Sequence, residues 1–299
     1  MRLFYTDHFE LPLPDEHKFP MTKYRRLRER IASEDWAAHA ELEVPHAATD
    51  DELRLVHTQQ YLANVVNGTL STKEVRRIGF PWSPELVERS RRSTGATIEA
   101  ALTAERTQGI SANLAGGTHH AFADRGEGYC VFNDVAVAAR VLQKQSDTPK
   151  RILVVDCDVH QGNGTAEIFQ RDDSVVTFSI HGKRNYPLKK VPSDLDVALD
   201  SGTGDAEYLA ALEDALTQLL HQAFDFVFYV AGADPFEGDR LGRLSLTKQG
   251  LCERDELVLS TCRENALPCA ISMAGGYAEE IDDIVDIHAT TIRSALAFT

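Results

Sequence analysis

The stretch Ile152-Leu153-Val154-Val155-Asp156-Cys157-Asp158-Val159-His160-Gln161-Gly162-Asn163-Gly164 decides how the chain is read. Its opening aliphatic run is that of a strand buried on both faces. An alternating Asp-x-Asp-x-His follows, then a glycine turn. Along extended backbone, positions i, i+2 and i+4 point the same way. Asp156, Asp158 and His160 are therefore expected to face one pocket just beyond the strand's carboxyl end, where open α/β sheets bind ligands. Ionisable groups gathered there are costly to bury unless something neutralises them, and a divalent metal does so. Carboxylate mixed with imidazole suits zinc or iron(II) better than calcium or magnesium. The plain alternative is a hydrogen-bonded polar loop, the commoner meaning of a lone Asp-x-Asp.

Outward from this stretch, similar apolar runs occur at 110–114, 175–180, 224–230 and 267–273, each too short for a typical helix. Amphipathic segments at 132–143, 206–223, 247–265 and 281–296 separate them, with Leu209, Leu212, Leu216 and Leu220 at helical spacing in the second. Strands alternating with helices predict a parallel sheet with helices on both faces. The first 105 residues read as an opening strand at 2–5 followed mainly by helices at 23–32, 59–66 and 84–105, with Asp50-Asp51-Glu52 capping a short one. No linker divides the chain, so residues 1–299 are expected to form a single domain.

The other strand ends carry chemistry too. After 110–114 comes Ala115-Gly116-Gly117-Thr118-His119-His120, where paired imidazoles point to proton transfer. Ala231-Gly232-Ala233-Asp234-Pro235 puts a carboxylate after the fourth run, and Ala274-Gly275-Gly276-Tyr277 a phenol after the fifth. Phe178-Ser179-Ile180-His181 closes the third. One such end is ordinarily just a turn. Convergence of several on one sheet edge is hard to explain by packing and points to a metal-dependent hydrolase. No GxGxxG or phosphate loop is present, and no G-x-S-x-G elbow, so nucleotide binding and serine hydrolysis are disfavoured.

Composition narrows the class. Hydrophobic residues make up 43% of the 299, enough for a sizeable core, and no run reaches the roughly 18 apolar residues of a membrane span. Asp plus Glu is 46 against 31 Lys plus Arg, a net charge of −15, which repels nucleic acid as a whole. The five cysteines form no CxxC pair, which argues against a disulfide framework or thiolate zinc cage. Cytoplasm is the expected compartment. The oligomeric state is left open.

With these motifs in hand, the sequence resembles the histone deacetylase family of metal-dependent deacylases. Five segments carry the resemblance in order: 116–139 (GGTHHAFADRGEGYCVFNDVAVAA), 154–169 (VVDCDVHQGNGTAEIF), 178–181 (FSIH), 231–247 (AGADPFEGDRLGRLSLT) and 274–277 (AGGY). Gln161, Asn163 and the EGDRLGRLS stretch at 237–245 make it most similar to the class IV, bacterial-type members. The resemblance implies an arginase-like α/β domain with its active site at the carboxyl ends of the strands. It implies one catalytic zinc, or iron(II), held by Asp158, His160 and Asp234. His120 would be general base and then acid, and His119 an electrostatic partner. Asp156 would orient His119, Asn163 would orient His120, and Tyr277 would donate to the amide oxygen. A structural potassium ion would lie at Asp156, Asp158, His160, Ser179 and Ile180. Tyr129, Tyr186, Gly128 and Gly275 would line an acyl-lysine tunnel.

Two departures from the family pattern stand out. Asn163 is neutral where many members carry Asp, so His120 is expected to be less basic. The basic residue by the acetate-release channel has no clean match, Lys23 and Arg25 being only neighbours of that region.

The expected activity is hydrolysis of the amide on a lysine ε-amine. Still open are a small-molecule amide or acylpolyamine substrate, an arginase-like ureohydrolase, and a non-catalytic acyl-lysine binder. A ureohydrolase needs a second metal and further bridging carboxylates, for which the single Asp234 at its strand end is a poor match.

Overall fold

Strand β4 (Ile152–Asp156) lies inside an eight-stranded sheet, and its side chains alternate between two cores, as period-2 geometry demands. Leu153 and Val155 enter one core, Ile152 and Val154 the other. Each fully buried aliphatic side chain stabilises the fold by about 1.5–3 kcal/mol. Burial on both sides explains why the run is apolar throughout instead of alternating. The computed structural model describes residues 1–14 and 16–298.

The remaining strands are β1 (Arg2–Phe4), β2 (Glu41–Glu43), β3 (Ile110–Asn113), β5 (Val175–Gly182), β6 (Leu195–Leu199), β7 (Phe226–Val230) and β8 (Cys269–Ser272). All pairings are parallel, in the order β2-β1-β3-β8-β7-β4-β5-β6. The helices are α1 (Lys23–Ala32), α2 (Asp50–Leu53), α3 (Gln59–Asn67), α4 (Thr72–Ile78), α5 (Pro84–Thr107), α6 (Asp134–Gln145), α7 (Asn163–Phe169), α8 (Asp205–Leu219), α9 (Lys248–Glu264) and α10 (Ile281–Ala297). Residues of α1, α8, α9 and α10 pack in the core with Leu153; those of α3, α5 and α6 pack in the core with Val154. The single α/β domain with a parallel sheet and helices on both faces is as expected.

Two strands and two helices escaped the sequence reading. Edge strand β2 is three residues long and carries two glutamates. Edge strand β6 alternates between partly buried and exposed residues, with Asp196 and Ala198 outward. Edges are blunted in this way, and their weak apolar signal follows from it. Helix α4 carried a readable mark: Ser71 and Glu74 form a capping box at its start. Helix α7, the other one missed, begins directly after the glycine turn and has no side-chain cap. The short helix that was expected, α2, also has a capping box, and its N-cap is Thr49, with Asp50, Asp51 and Glu52 in its first turn.

Candidate metal centre and active site

Strand β4 ends at Asp156, and from there the backbone does not continue extended. The amide of Asp158 donates to Asp156 Oδ1 (3.1 Å) and the amide of His160 to Asp158 Oδ1 (2.9 Å). These local bonds fold the segment into consecutive bends. The expected i, i+2, i+4 alignment is thus corrected: the bends, not a continued strand, aim the side chains. They also separate Asp156, whose Oδ2 lies against His119, from the pair that meets Asp234.

Asp158, His160 and Asp234 each offer a donor atom, and these atoms lie within 4.8 Å of one another. His160 Nδ1 is 3.0 Å from Asp158 Oδ1 and 3.1 Å from Asp234 Oδ2. The other oxygens are tied down: Asp158 Oδ2 accepts from the Gly275 amide (2.9 Å), and Asp234 Oδ1 from the Val159 amide (2.8 Å). Gly275 is required there, since a Cβ would stand 1.9 Å from Asp234 Oδ2 and 2.5 Å from Asp158 Oδ2. Strands β4 and β7 are neighbours in the sheet, which is what brings these donor atoms together.

With no cation counted, the trio is strained electrostatically. Burial raises the Asp234 carboxyl to about 7, the neighbouring Asp158 charge adding to it. Burial lowers the His160 imidazole, but bonds to Asp158 and Asp234 outweigh it and lift it to about 10. A divalent ion removes the need for these protons. Zinc ligands at about 2.0–2.2 Å in a tetrahedron stand about 3.4 Å apart, close to the spacing of these donors. The donor set fits zinc, and one carboxylate-rich face with a single imidazole fits iron(II) as well. Among the described residues this is the one such cluster.

The tandem histidines follow β3 and are differently partnered. His119 Nδ1 donates to Asp156 Oδ2 at 2.6 Å, with both groups buried. Burial works to lower His119, yet the Asp156 and Asp158 charges hold it up at about 9. His120 Nδ1 is 2.7 Å from Asn163 Oδ1, and Asn163 Nδ2 is 2.7 Å from Glu127 Oε1. Glu127 can only accept, so it fixes the amide: Nδ2 donates to it, and Oδ1 accepts from His120 Nδ1–H. His120 Nε2 then carries the free lone pair. Burial first, and then the His119 and His160 charges, push His120 well below its ordinary value. The expected low basicity agrees with this direction, with burial as its main cause. Glu127 was missed in the sequence because nothing local ties it to residue 163.

Tyr277 follows β8, and its ring lies 6.4 Å from the His160 ring at 80°. Burial, then the Asp158 and Asp234 charges, raise its phenol well above the ordinary range, so it remains a donor at neutral pH. Tyr129, Tyr186 and Gly128 line an outer groove of about 460 Å³ that reaches His120, His160 and Tyr277. Tyr186 stands edge-on to His120, with ring centroids 4.8 Å apart. Gly128 sits at φ +58°, and a Cβ there would be 2.6 Å from His120 Cδ2. Gly275 is not on this groove; it borders an inner cavity of about 70 Å³ beside Asp158 and His160.

Two buried basic side chains stand near that inner cavity, Lys23 outside its lining and Arg89 within it. Lys23, 2% exposed, donates to the carbonyls of Ala274 and Gly276 (3.3 Å each) and lies 5.4 Å from the Tyr277 ring centre. Arg25 instead pairs with Glu10 at the surface. Lys23 thus sits against the turn that carries Tyr277, and Arg25 does not. Arg89 lines the cavity, buried over the Tyr24 ring, with Nη1 unpartnered. Phe19 packs against both Tyr129 and Tyr277. Of the residues expected at a monovalent cation, Asp156 and Ser179 are register partners on β4 and β5, and Ile180 follows in the buried core.

Fold and site together define an arginase- and deacetylase-like α/β protein with a buried two-aspartate, one-histidine centre at the carboxyl edge of its sheet. The chain belongs to the histone deacetylase family: the family model described as histone deacetylase domain matches residues 17–292. It is 44% identical over 292 residues to an uncharacterized protein of Picosynechococcus sp., covering 97% of each chain. It is 31% identical to histone deacetylase 2 of Arabidopsis thaliana, over 87% of this chain and 70% of that one. The acetoin utilization protein AcuC of Staphylococcus aureus is 28% identical over 80% of this chain and 67% of its own length. A solved deacetylase homolog from Aquifex aeolicus shares the fold, with TM-score 0.83 at 24% identity over 99% of this chain and 83% of that one. No helix among the described residues is long and apolar enough to cross a membrane.

Proposed function

We propose that this protein hydrolyses the amide of an acylated lysine ε-amine, releasing a carboxylate and the free amine. The observation that carries the reading is the placement of two differently partnered histidines, one with a free Nε2, beside a buried Asp158–His160–Asp234 centre and a protonated phenol. A zinc or iron(II) ion at those three residues would polarise the acyl carbonyl and make bound water a nucleophile near neutral pH.

This chain's own groups do the rest. His120 Nε2 accepts the proton of the attacking water and returns it to the leaving amine. Asn163, held by Glu127, keeps His120 in the tautomer that leaves Nε2 bare. His119, protonated against Asp156, places a positive charge beside the developing negative one. Tyr277 donates its hydroxyl proton in a hydrogen bond to the carbonyl oxygen as charge accumulates there. Tyr129, Tyr186 and Gly128 form the passage for the lysine stem. Asp156, Ser179 and Ile180, with Asp158 and His160, are assigned to a structural potassium ion behind the site.

The test is turnover by zinc-loaded full-length protein of lysine peptides carrying acyl chains from acetyl to myristoyl. N-acylated polyamines and small amides run alongside. Release of free lysine amine, lost on chelation, supports the reading. Turnover confined to acylpolyamine or small amides would reassign the substrate, and urea release from a guanidino compound would make it a ureohydrolase.

A further inference from the structure

The chain carries an excess of acid, yet the mouth of its groove does not. Arg76, Arg77, Arg184 and Arg243 line the 460 Å³ groove with Tyr186 and Leu188, and no aspartate or glutamate is among its lining residues. All four arginines are exposed, and none is within ion-pair distance of a carboxylate among the described residues. Some arginines elsewhere are paired, such as Arg54 with Asp50 and Asp51, Arg92 with Glu88, and Arg125 with Asp124 and Glu167, while others among the described residues, such as Arg171 and Arg263, are not; what sets the mouth apart is that four unpaired ones share one groove. Two acids lie near the mouth against these four arginines: Glu74, which accepts from the amide and hydroxyl of Ser71 and is within electrostatic reach of Arg77, and Glu127, which accepts from Asn163.

The segments that carry these arginines are anchored through their backbones. The carbonyl of Arg77 accepts from the Gly128 amide (3.1 Å), and that of Ile78 from the Tyr129 amide (2.7 Å), which clamps the end of α4 to the groove wall. Asn185 Nδ2 donates to the Leu241 carbonyl (2.8 Å), joining the loop of Arg184 to the loop of Arg243. Three separate segments thus surround one opening with unpaired guanidinium groups. Like charges gathered at an opening repel a cationic chain and draw an anionic one.

We propose that the mouth selects acyl-lysines set in an acidic polypeptide segment and disfavours lysine- and arginine-rich flanks; this rests on the lysine deacylase reading. A polypeptide is favoured over a nucleic acid for two reasons. The net charge of −15 opposes a long phosphate backbone beyond the mouth. Leu188, 97% exposed on the rim, suits an apolar flanking side chain.

The experiment uses zinc-loaded full-length protein and two peptides with the same acyl-lysine, one flanked by glutamates and one by lysines. At low salt, kcat/KM is expected to favour the glutamate peptide about tenfold, and the gap should shrink in about 0.5 M salt as screening shortens. The paired substitutions Arg76→Glu with Arg77→Glu, and Arg184→Glu with Arg243→Glu, should each lower or reverse the ratio. The ratio is the readout, so a general loss of activity cancels; Arg→Gln versions should lie between. Equal rates for the two peptides in wild type, or a ratio unmoved by the substitutions, overturns the proposal. Fluorescence anisotropy of the labelled peptides reads the same preference without turnover. If an uncharged acyl-lysine is not cleaved while the acidic peptide still binds more tightly, the deacylase reading fails and the mouth's preference stands. Displacement of the acidic peptide by polyphosphate at equal charge would make the rim a general polyanion surface and overturn its assignment to polypeptide.

Discussion

His120 Nδ1 and Asn163 Oδ1 stand 2.7 Å apart, and this contact sets which nitrogen of His120 is free. Asn163 has no choice of orientation because Glu127 takes its Nδ2. A neutral acceptor leaves His120 weakly basic, with burial, His119 and His160 all lowering it. The sign is then fixed: His120 must be unprotonated to act as base, so activity is lost as pH falls through its lowered pKa and is retained above it. Asn163→Asp puts a carboxylate there, and an opposite charge at such range raises a histidine by about 1–3 units. The acid limb of kcat/KM is expected to move to higher pH in that variant. An unmoved limb would mean that another group controls it.

The two histidines are expected to separate on substitution. His120→Ala removes the carrier of both proton transfers, and general acid–base catalysis is worth about 10²–10⁴-fold. His119→Ala removes only a neighbouring charge and should cost less. Single-turnover rates on one acyl-lysine peptide check this, and a reversed order would exchange the assigned roles.

Tyr277→Phe should lower kcat by about 10²–10³-fold, the usual loss for one oxyanion donor. Zinc content and thermal stability should stay near wild type, since the ring still packs on Phe19. If Tyr277 were only a packing aromatic, deacylation would remain within a few-fold of wild type. Measuring kcat and zinc on the same sample separates the two outcomes.

One zinc per chain is expected by elemental analysis, and none in Asp234→Ala. Gly275→Ala should behave similarly, because its Cβ would press on the oxygens of Asp234 and Asp158. Saturating zinc at about 100 times Kd should stabilise wild type by about 2.7 kcal/mol and leave both variants unmoved. Thermal melts with and without zinc read this directly. Two ions per chain would contradict the single centre.

Much of this molecule was legible in its residues. The five apolar runs became interior strands because burial on both faces demands unbroken apolar sequence, as in Phe226–Val230. Edge strands β2 and β6 were not legible, since an edge must stay polar. Asp158, His160, Asp234, His119, His120 and Tyr277 were found because each follows a strand end. Glu127 and Arg89 were not, because each lies on a loop or helix with no local pattern pointing to the site, and Lys23 was legible only as a neighbour of it.

The sequence by itself determined the parallel α/β architecture and the sheet edge at which the candidate donors gather. These rest on short-range regularities: period-2 and helical spacing, and the polar residues that follow a buried strand. Only the tertiary structure decided which donor meets which. Asp156 and Asp158 are two residues apart, yet one holds His119 and the other joins Asp234, because bends after β4 turn them apart. The pairing of His120 with Asn163 and Glu127, the burial of Lys23, and the ring of unpaired arginines each need segments far apart in the chain. Sheet order and loop docking bring those segments together, and neither is written in any local stretch.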